Sequence, residues 1–204
     1  MLRTLYLLSF SFILPVKLLC QVPDAKDIVR QFESAELRES FLARLSPQDK
    51  STERLLLAML EAYRSQLETR FEFHGVRVGL ADAFGVMGSE EAIPWLIANI
   101  TLWRYGGFMQ DMNRWNHASD SLEKAFPAVR ALVRIGPGAV DALRVAYQTK
   151  LDRETQLAIV FALSRMKDPT AKEVLKYVQY DINQLQHFVK EGLAAPASAD
   201  DVKK

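Results

Sequence analysis

Residues 76–100 read VRVGLADAFGVMGSEEAIPWLIANI. Val76, Leu80, Ala83, Phe84 and Met87 recur at the spacing of one helix face, so a helix is predicted up to Met87. Gly88-Ser89 breaks it. Ile93, Leu96, Ile97 and Ile100 then repeat the same spacing in a second helix. Proline is tolerated only in a helix's first turn, so Pro94 places the start of that helix near Glu90 or Glu91.

The same design returns twice. Ala131-Leu132-Val133-Arg134-Ile135-Gly136 matches Ala83-Phe84-Gly85-Val86-Met87-Gly88, and Ala162-Leu163-Ser164-Arg165-Met166-Lys167 matches both. Each is followed by a helix breaker: Gly88-Ser89, Gly136-Pro137-Gly138 and Asp168-Pro169. A second apolar frame follows each breaker. In the second unit it is Val140, Leu143 and Tyr147, with Arg144 replacing one member; in the third it is Ala171, Val174, Leu175 and Val178.

A first helix ending A-L-x-x-[IM]-G, a breaker and a second helix beginning A-x-x-x-L together resemble the HEAT-like repeat, in the short bacterial form known from phycobilisome lyases. The resemblance runs from about Gly75 to Tyr180. It implies an all-α fold, an α-solenoid of about four or five antiparallel helix pairs. The spacing is uneven. Ile135 to Met166 is 31 residues, whereas Met87 to Ile135 is 48, so an insertion of about half a repeat lies between. It is assigned to residues 101–120 of a repeat region spanning 75–192. Lyase or isomerase activity does not follow, because the repeat is only scaffold.

Residues 21–74 match the repeat poorly and are expected to be capping or degenerate units. A helical pattern from Ala25 to Leu45 changes phase near Ser34, which predicts a kink or two short helices. Ser46-Pro47-Gln48-Asp49 reads as a start signal, with Ser46 as cap and Pro47 in the first turn. Leu55, Ala58, Met59, Ala62, Tyr63 and Leu67 then form the predicted apolar face. At the other end, the last helix is expected to continue through Ile182, Leu185 and Val189 to Gly192, leaving 193–204 as a disordered tail.

Residues 1–20 read as a secretory signal peptide: Arg3 is the n-region, and Leu5 to Val16 is an uncharged apolar stretch too short for a confident membrane span. The expected address is the periplasm or the outside. Membrane attachment is expected only through an uncleaved leader or a lipidated Cys20, although Lys17-Leu18-Leu19 lacks the small residues expected before a lipidated cysteine. Cys20 is the only cysteine, so the mature chain has no disulfide and no thiolate chemistry. The whole chain carries a net charge of +1, and without Arg3 and Lys17 the balance is −1, so no global basic field exists to hold nucleic acid. Nine glycines and eight prolines in 204 residues argue against a turn-rich β-sandwich.

The insertion, TLWRYGGFMQDMNRWNHASD, is rich in the residue types that dominate binding hot spots. Trp103, Arg104, Tyr105, Phe108, Arg114, Trp115 and His117 are the candidate partner-binding residues. The competing reading is that its aromatics fold back and seal the gap between repeats. His117 and His187 each have one carboxylate within a helical turn and no third ligand; these two and His74 are expected in surface or capping roles. The chain has no His-Glu dipeptide, unlike HEAT-like iron hydroxylases, and no G-x-S-x-G or phosphate-binding glycine loop. Arg134 and Arg165 occupy matching positions and are expected as solvated helix ends favoured by the dipole.

These readings predict a non-catalytic scaffold for a protein partner, with no catalytic residue, no metal, no cofactor and no nucleic acid. The alternative is a small-molecule-binding protein or enzyme with a pocket at the insertion, using Trp103, Tyr105, Trp115 and His117.

Overall fold

The computed structural model describes residues 25–105, 119–149 and 152–178. Among them it contains ten α-helices and no strand. The expected tail and the continuation to Gly192 lie outside the described residues, as does the leader.

The phase change at Ser34 separates two helices, α1 (Ala25–Glu33) and α2 (Ala35–Leu42). Ser34 is extended, and its hydroxyl accepts from the Leu37 N–H at 3.1 Å, capping α2. Ile28 and Phe32 are buried, and Phe41 meets Phe32 edge to face at 5.2 Å. Helix α3 (Lys50–Thr69) begins later than the Ser-Pro signal predicts. Its cap is Asp49, which accepts from the Thr52 N–H at 3.0 Å and the Ser51 hydroxyl at 2.8 Å. A carboxylate with several donors in reach displaces Ser46 from the capping role.

The predicted face of α3 is also rotated. Met59 and Leu67 are buried as expected, but their companions are Leu56, Leu60 and Glu53, while Ala58, Ala62 and Tyr63 are exposed. Leu55-Leu56-Leu57 puts a leucine on three faces at once, so periodicity fits more than one phase and packing decides between them. The Glu53 carboxyl is pushed up by burial, but Lys50 at 2.6 Å and Ser89 outweigh this and hold it below the usual value.

A 3-10 turn over Phe71–Phe73 leads into α4 (His74–Met87). This helix is buried on nearly every side. Gly88 ends it in the left-handed region, at φ 64° and ψ 38°, and the Ser89 N–H donates to the Phe84 carbonyl at 3.0 Å. A 3-10 turn over Glu90–Ala92 opens α5 (Ile93–Ala98), with Pro94 in the first turn as expected. Helix α6 (Ser119–Ala125) begins at the end of the insertion.

The second unit is α7 (Pro127–Ile135) and α8 (Pro137–Thr149). Its expected three-residue turn reduces to Gly136 alone, at φ 72° and ψ −130°, because Pro137 already serves as the first residue of α8. The third unit is α9 (Arg153–Arg165) and α10 (Pro169–Tyr177). Asp168 caps α10, accepting from the Thr170 and Ala171 N–H groups at 2.8 and 3.1 Å. Helix α10 itself ends at Tyr177, where Val178 turns extended at ψ 114°.

First helices pack on first helices: α4 on α7, and α7 on α9. Second helices do likewise, α5 on α8 and α8 on α10, while α5 also packs on α7 and α8 on α9. Helices α1, α2 and α3 cover other faces of α4. One continuous core runs through these helices, from Ile28 to Val178.

The tightest contact is between α4 and α7. A Cβ at Gly85 would lie 2.7 Å from the Ala131 Cα, which is backbone and cannot swing aside. Alanine is intrinsically favoured over glycine in a helix by about 1 kcal/mol, but here overpacking of about 1–3 kcal/mol opposes it. Gly85→Ala is expected to lower the melting temperature in circular-dichroism melts. An unchanged or raised value would show that the two helices separate freely.

Candidate partner-binding surface

The insertion is tied down at its start, just after α5. The Asn99 side-chain amide donates to the Trp95 carbonyl at 3.0 Å, and the Leu102 N–H to the Asn99 carbonyl at 2.9 Å. The Arg104 N–H donates to the Ala125 carbonyl at 2.8 Å, and its Nε to the Lys124 carbonyl at 2.8 Å. Both of those carbonyls close α6, so Arg104 joins the two ends of the insertion.

The Arg104 guanidinium reaches further, to Asp82 on α4. Its Nη1 donates to Oδ2 and its Nη2 to Oδ1, both at 2.7 Å, and the Nη2 of Arg130 on α7 adds a third bond to Oδ1 at 2.7 Å. The Asp82 side chain is 1% exposed, against 16% for Arg104 and 24% for Arg130. Burial alone would push the Asp82 carboxyl up. The hydrogen bonds and charge of Arg104, then those of Arg130, outweigh it and hold the carboxyl below the ordinary range.

The candidate binding residues therefore divide. Arg104 is a brace rather than an open contact, because the one buried acid of α4 occupies its fork. Trp103 is half-buried, edge-on to Phe126 at 5.1 Å and to Tyr105 at 5.8 Å, as the gap-sealing reading expects. Tyr105 is 71% exposed and remains on open surface. Phe108, Arg114, Trp115 and His117 lie outside the described residues.

His74, expected at the surface or in a cap, is half-buried at the first position of α4 and stacks on the exposed Phe71 at 6.0 Å. Burial first, and then the charge of Arg77, hold its imidazole below the ordinary value. His117 and His187 lie outside the described residues. Of the two matching arginines, Arg134 is exposed as expected. Arg165 is not a solvated end: its Nε meets Glu123 of α6 at 3.1 Å, and both side chains are partly buried.

The second-helix layer offers an open surface. A groove of about 500 Å³ runs between α8 and α10, with Tyr147, Val174 and Val178 along it and Asp141, Arg144 and Glu173 at its edges. Val145 on α8 is 53% exposed, on the helix that forms one wall. A second groove of about 300 Å³, with Met59, Leu67 and Phe73 in its lining, lies where α1 meets α3. Neither is lined by Trp103, Arg104 or Tyr105. Among the described residues, no group of three or more His, Cys, Asp or Glu could hold a metal ion, and no helix is long and apolar enough to cross a membrane.

Comparison with family models, curated proteins and solved structures gave no match for this chain.

The sequence reading missed Asp82. The signal was present: under the alignment of units, Asp82 and Arg130 occupy the same register with opposite charge, and Phe161 stands there in the third unit.

Two outcomes follow from the brace. Removing one partner of a buried pair costs about 3–5 kcal/mol, so Arg104→Ala is expected near the lower end, since Arg130 still holds Asp82. Arg130→Ala removes one charged hydrogen bond, a loss of about 1.5–3 kcal/mol. Urea melts of both variants would test this order, and an Arg104→Ala protein as stable as wild type would refute the brace.

The pH dependence has two windows. His74 has a lowered folded-state value, so its contribution is complete above the unfolded value of about 6.5 and falls as pH drops below it. The Asp82 contribution is complete above about 3.9 and is lost as pH falls through its lower folded value. Melting temperature should therefore decline in both windows, and His74→Gln should flatten the first while leaving the second.

Proposed function

We propose that this chain is an exported α-solenoid of HEAT-like helix pairs that acts as a non-catalytic scaffold for a protein partner. The observation that carries this reading is the like-on-like packing of α4, α7 and α9, with α5, α8 and α10 packed in the same order. Stacked helix pairs of this kind present an extended surface lined by second helices. The breakers Gly88, Gly136 and Asp168-Pro169 recur at the corner of each pair, which supports the repeat reading.

The partner face is the second-helix layer, centred on the groove between α8 and α10. An apolar floor of Tyr147, Val174 and Val178 with charged edges suits a partner carrying an apolar anchor within a polar rim. The exposed Tyr105 and the insertion residues Phe108, Arg114, Trp115 and His117 belong to the proposed contact set, and Trp103 meets Tyr105 edge to face. Export rests on the apolar leader of residues 5–16.

Site-specific photo-crosslinking tests the assignment. A photoreactive side chain at Val145 is expected to give a discrete adduct in the native envelope fraction, competed by excess unlabelled protein. The same group at the exposed Glu36 of α2 should give none. Equal adducts from both positions, or none from Val145, would remove the second-helix face as the partner surface.

A further inference from the structure

The hollow where α1 meets α3 has the makeup of a small ligand site. Met59 and Leu67 are buried at its apolar floor, and Phe73 adds a half-buried aromatic wall. Its volume of about 300 Å³ is at the low end for ligand cavities. It suits a molecule of amino-acid size rather than a nucleotide.

Charge of both signs stands at its edge. Arg30 and Glu33 lie three residues apart on α1, both line the hollow, and both are exposed. Residues at that spacing are neighbours on a helix surface, yet these two form no ion pair with each other. Arg30 instead touches Asp27 through Nη1 at 3.4 Å, a long contact between exposed side chains. Its Nε and Nη2 have no acceptor among the described residues. The Glu33 carboxylate has no ion pair or hydrogen bond among them either. Tyr63, on α3, adds an exposed ring and a hydroxyl with no partner among the described residues. Exposed charges are hydrated, so one pairing contributes little affinity. Two of opposite sign beside an apolar hollow contribute selectivity instead. A zwitterion meets both, whereas an acid or an amine alone is attracted by one and opposed by the other.

We propose that this hollow binds a free α-amino acid with a bulky apolar side chain. The side chain fills the hollow against Met59, Leu67 and Phe73. The carboxylate faces Arg30, whose planar fork donates to carboxylates in parallel pairs. The ammonium faces Glu33. Burial of the apolar side chain supplies most of the affinity, and the two charges select the chemical class. The site shares no helix with the groove between α8 and α10. It therefore stands or falls independently of the scaffold reading.

The test is a saturation-transfer NMR titration of the full chain with a panel of small ligands. L-Phenylalanine and L-leucine are expected to bind saturably, whereas glycine, which has nothing to fill the hollow, is not. Phenylalanine amide lacks the carboxylate and N-acetylphenylalanine lacks the ammonium, and each should bind roughly three- to fivefold more weakly than phenylalanine. Arg30→Gln and Glu33→Gln are changes at exposed positions with little effect on the fold. Arg30→Gln should weaken phenylalanine by about that same factor and erase its advantage over the amide. Glu33→Gln should erase its advantage over the N-acetyl derivative. The proposal is overturned by the absence of saturable binding, by glycine binding as well as phenylalanine, by derivatives that match phenylalanine on the wild-type protein, or by either variant keeping wild-type discrimination.

Discussion

The approach of α4 to α7 at Gly85 and Ala131 is the constraint on which the other contacts rest. With no side chain at Gly85, the two helices meet almost backbone to backbone. That closeness brings Asp82, one turn earlier on α4, within 2.7 Å of Arg130, the neighbour of Ala131. Arg104 then reaches the same carboxylate from the segment after α5 and fastens the end of α6. A wider separation of the helices would stretch a hydrogen bond between ions in a poorly hydrated place, where distance matters most. Close packing and charge pairing are one device in this protein.

The helix pairs were legible because their corners are matters of backbone chemistry. Gly88 and Gly136 adopt positive φ, and Asp168-Pro169 combines a cap with a residue suited to the first turn. Those requirements are local, so a short window of sequence states them. The face of α3 was less legible, since Leu55-Leu56-Leu57 satisfies several phases and only the neighbouring helix chooses. Its start was misread because a capping contest between Ser46 and Asp49 is decided by which donors each can reach.

The site was legible in part. Tyr105 is exposed, as the binding reading requires, and Trp103 packs against Phe126, as the sealing alternative requires. Arg104 drew attention by residue type alone, yet its partner lies 22 residues upstream on another helix. No pattern within the insertion names that partner. Asp82 in turn resembles a solvent-facing residue in an amphipathic helix until α4 proves to be covered on nearly every side. Comparing charge at equivalent positions of successive units, rather than reading each helix alone, exposes the pairing.

Gly136 carries a mechanical meaning. The corner between α7 and α8 is a single residue, whereas α9 and α10 are separated by Met166, Lys167 and Asp168. So short a link has almost no slack, and Ala139 ties back to it through a 2.9 Å hydrogen bond to the Gly136 carbonyl. A shift of α8 is therefore coupled to α7 through this corner as well as to α5, α9 and α10 through packing, so the helix has little freedom to move alone.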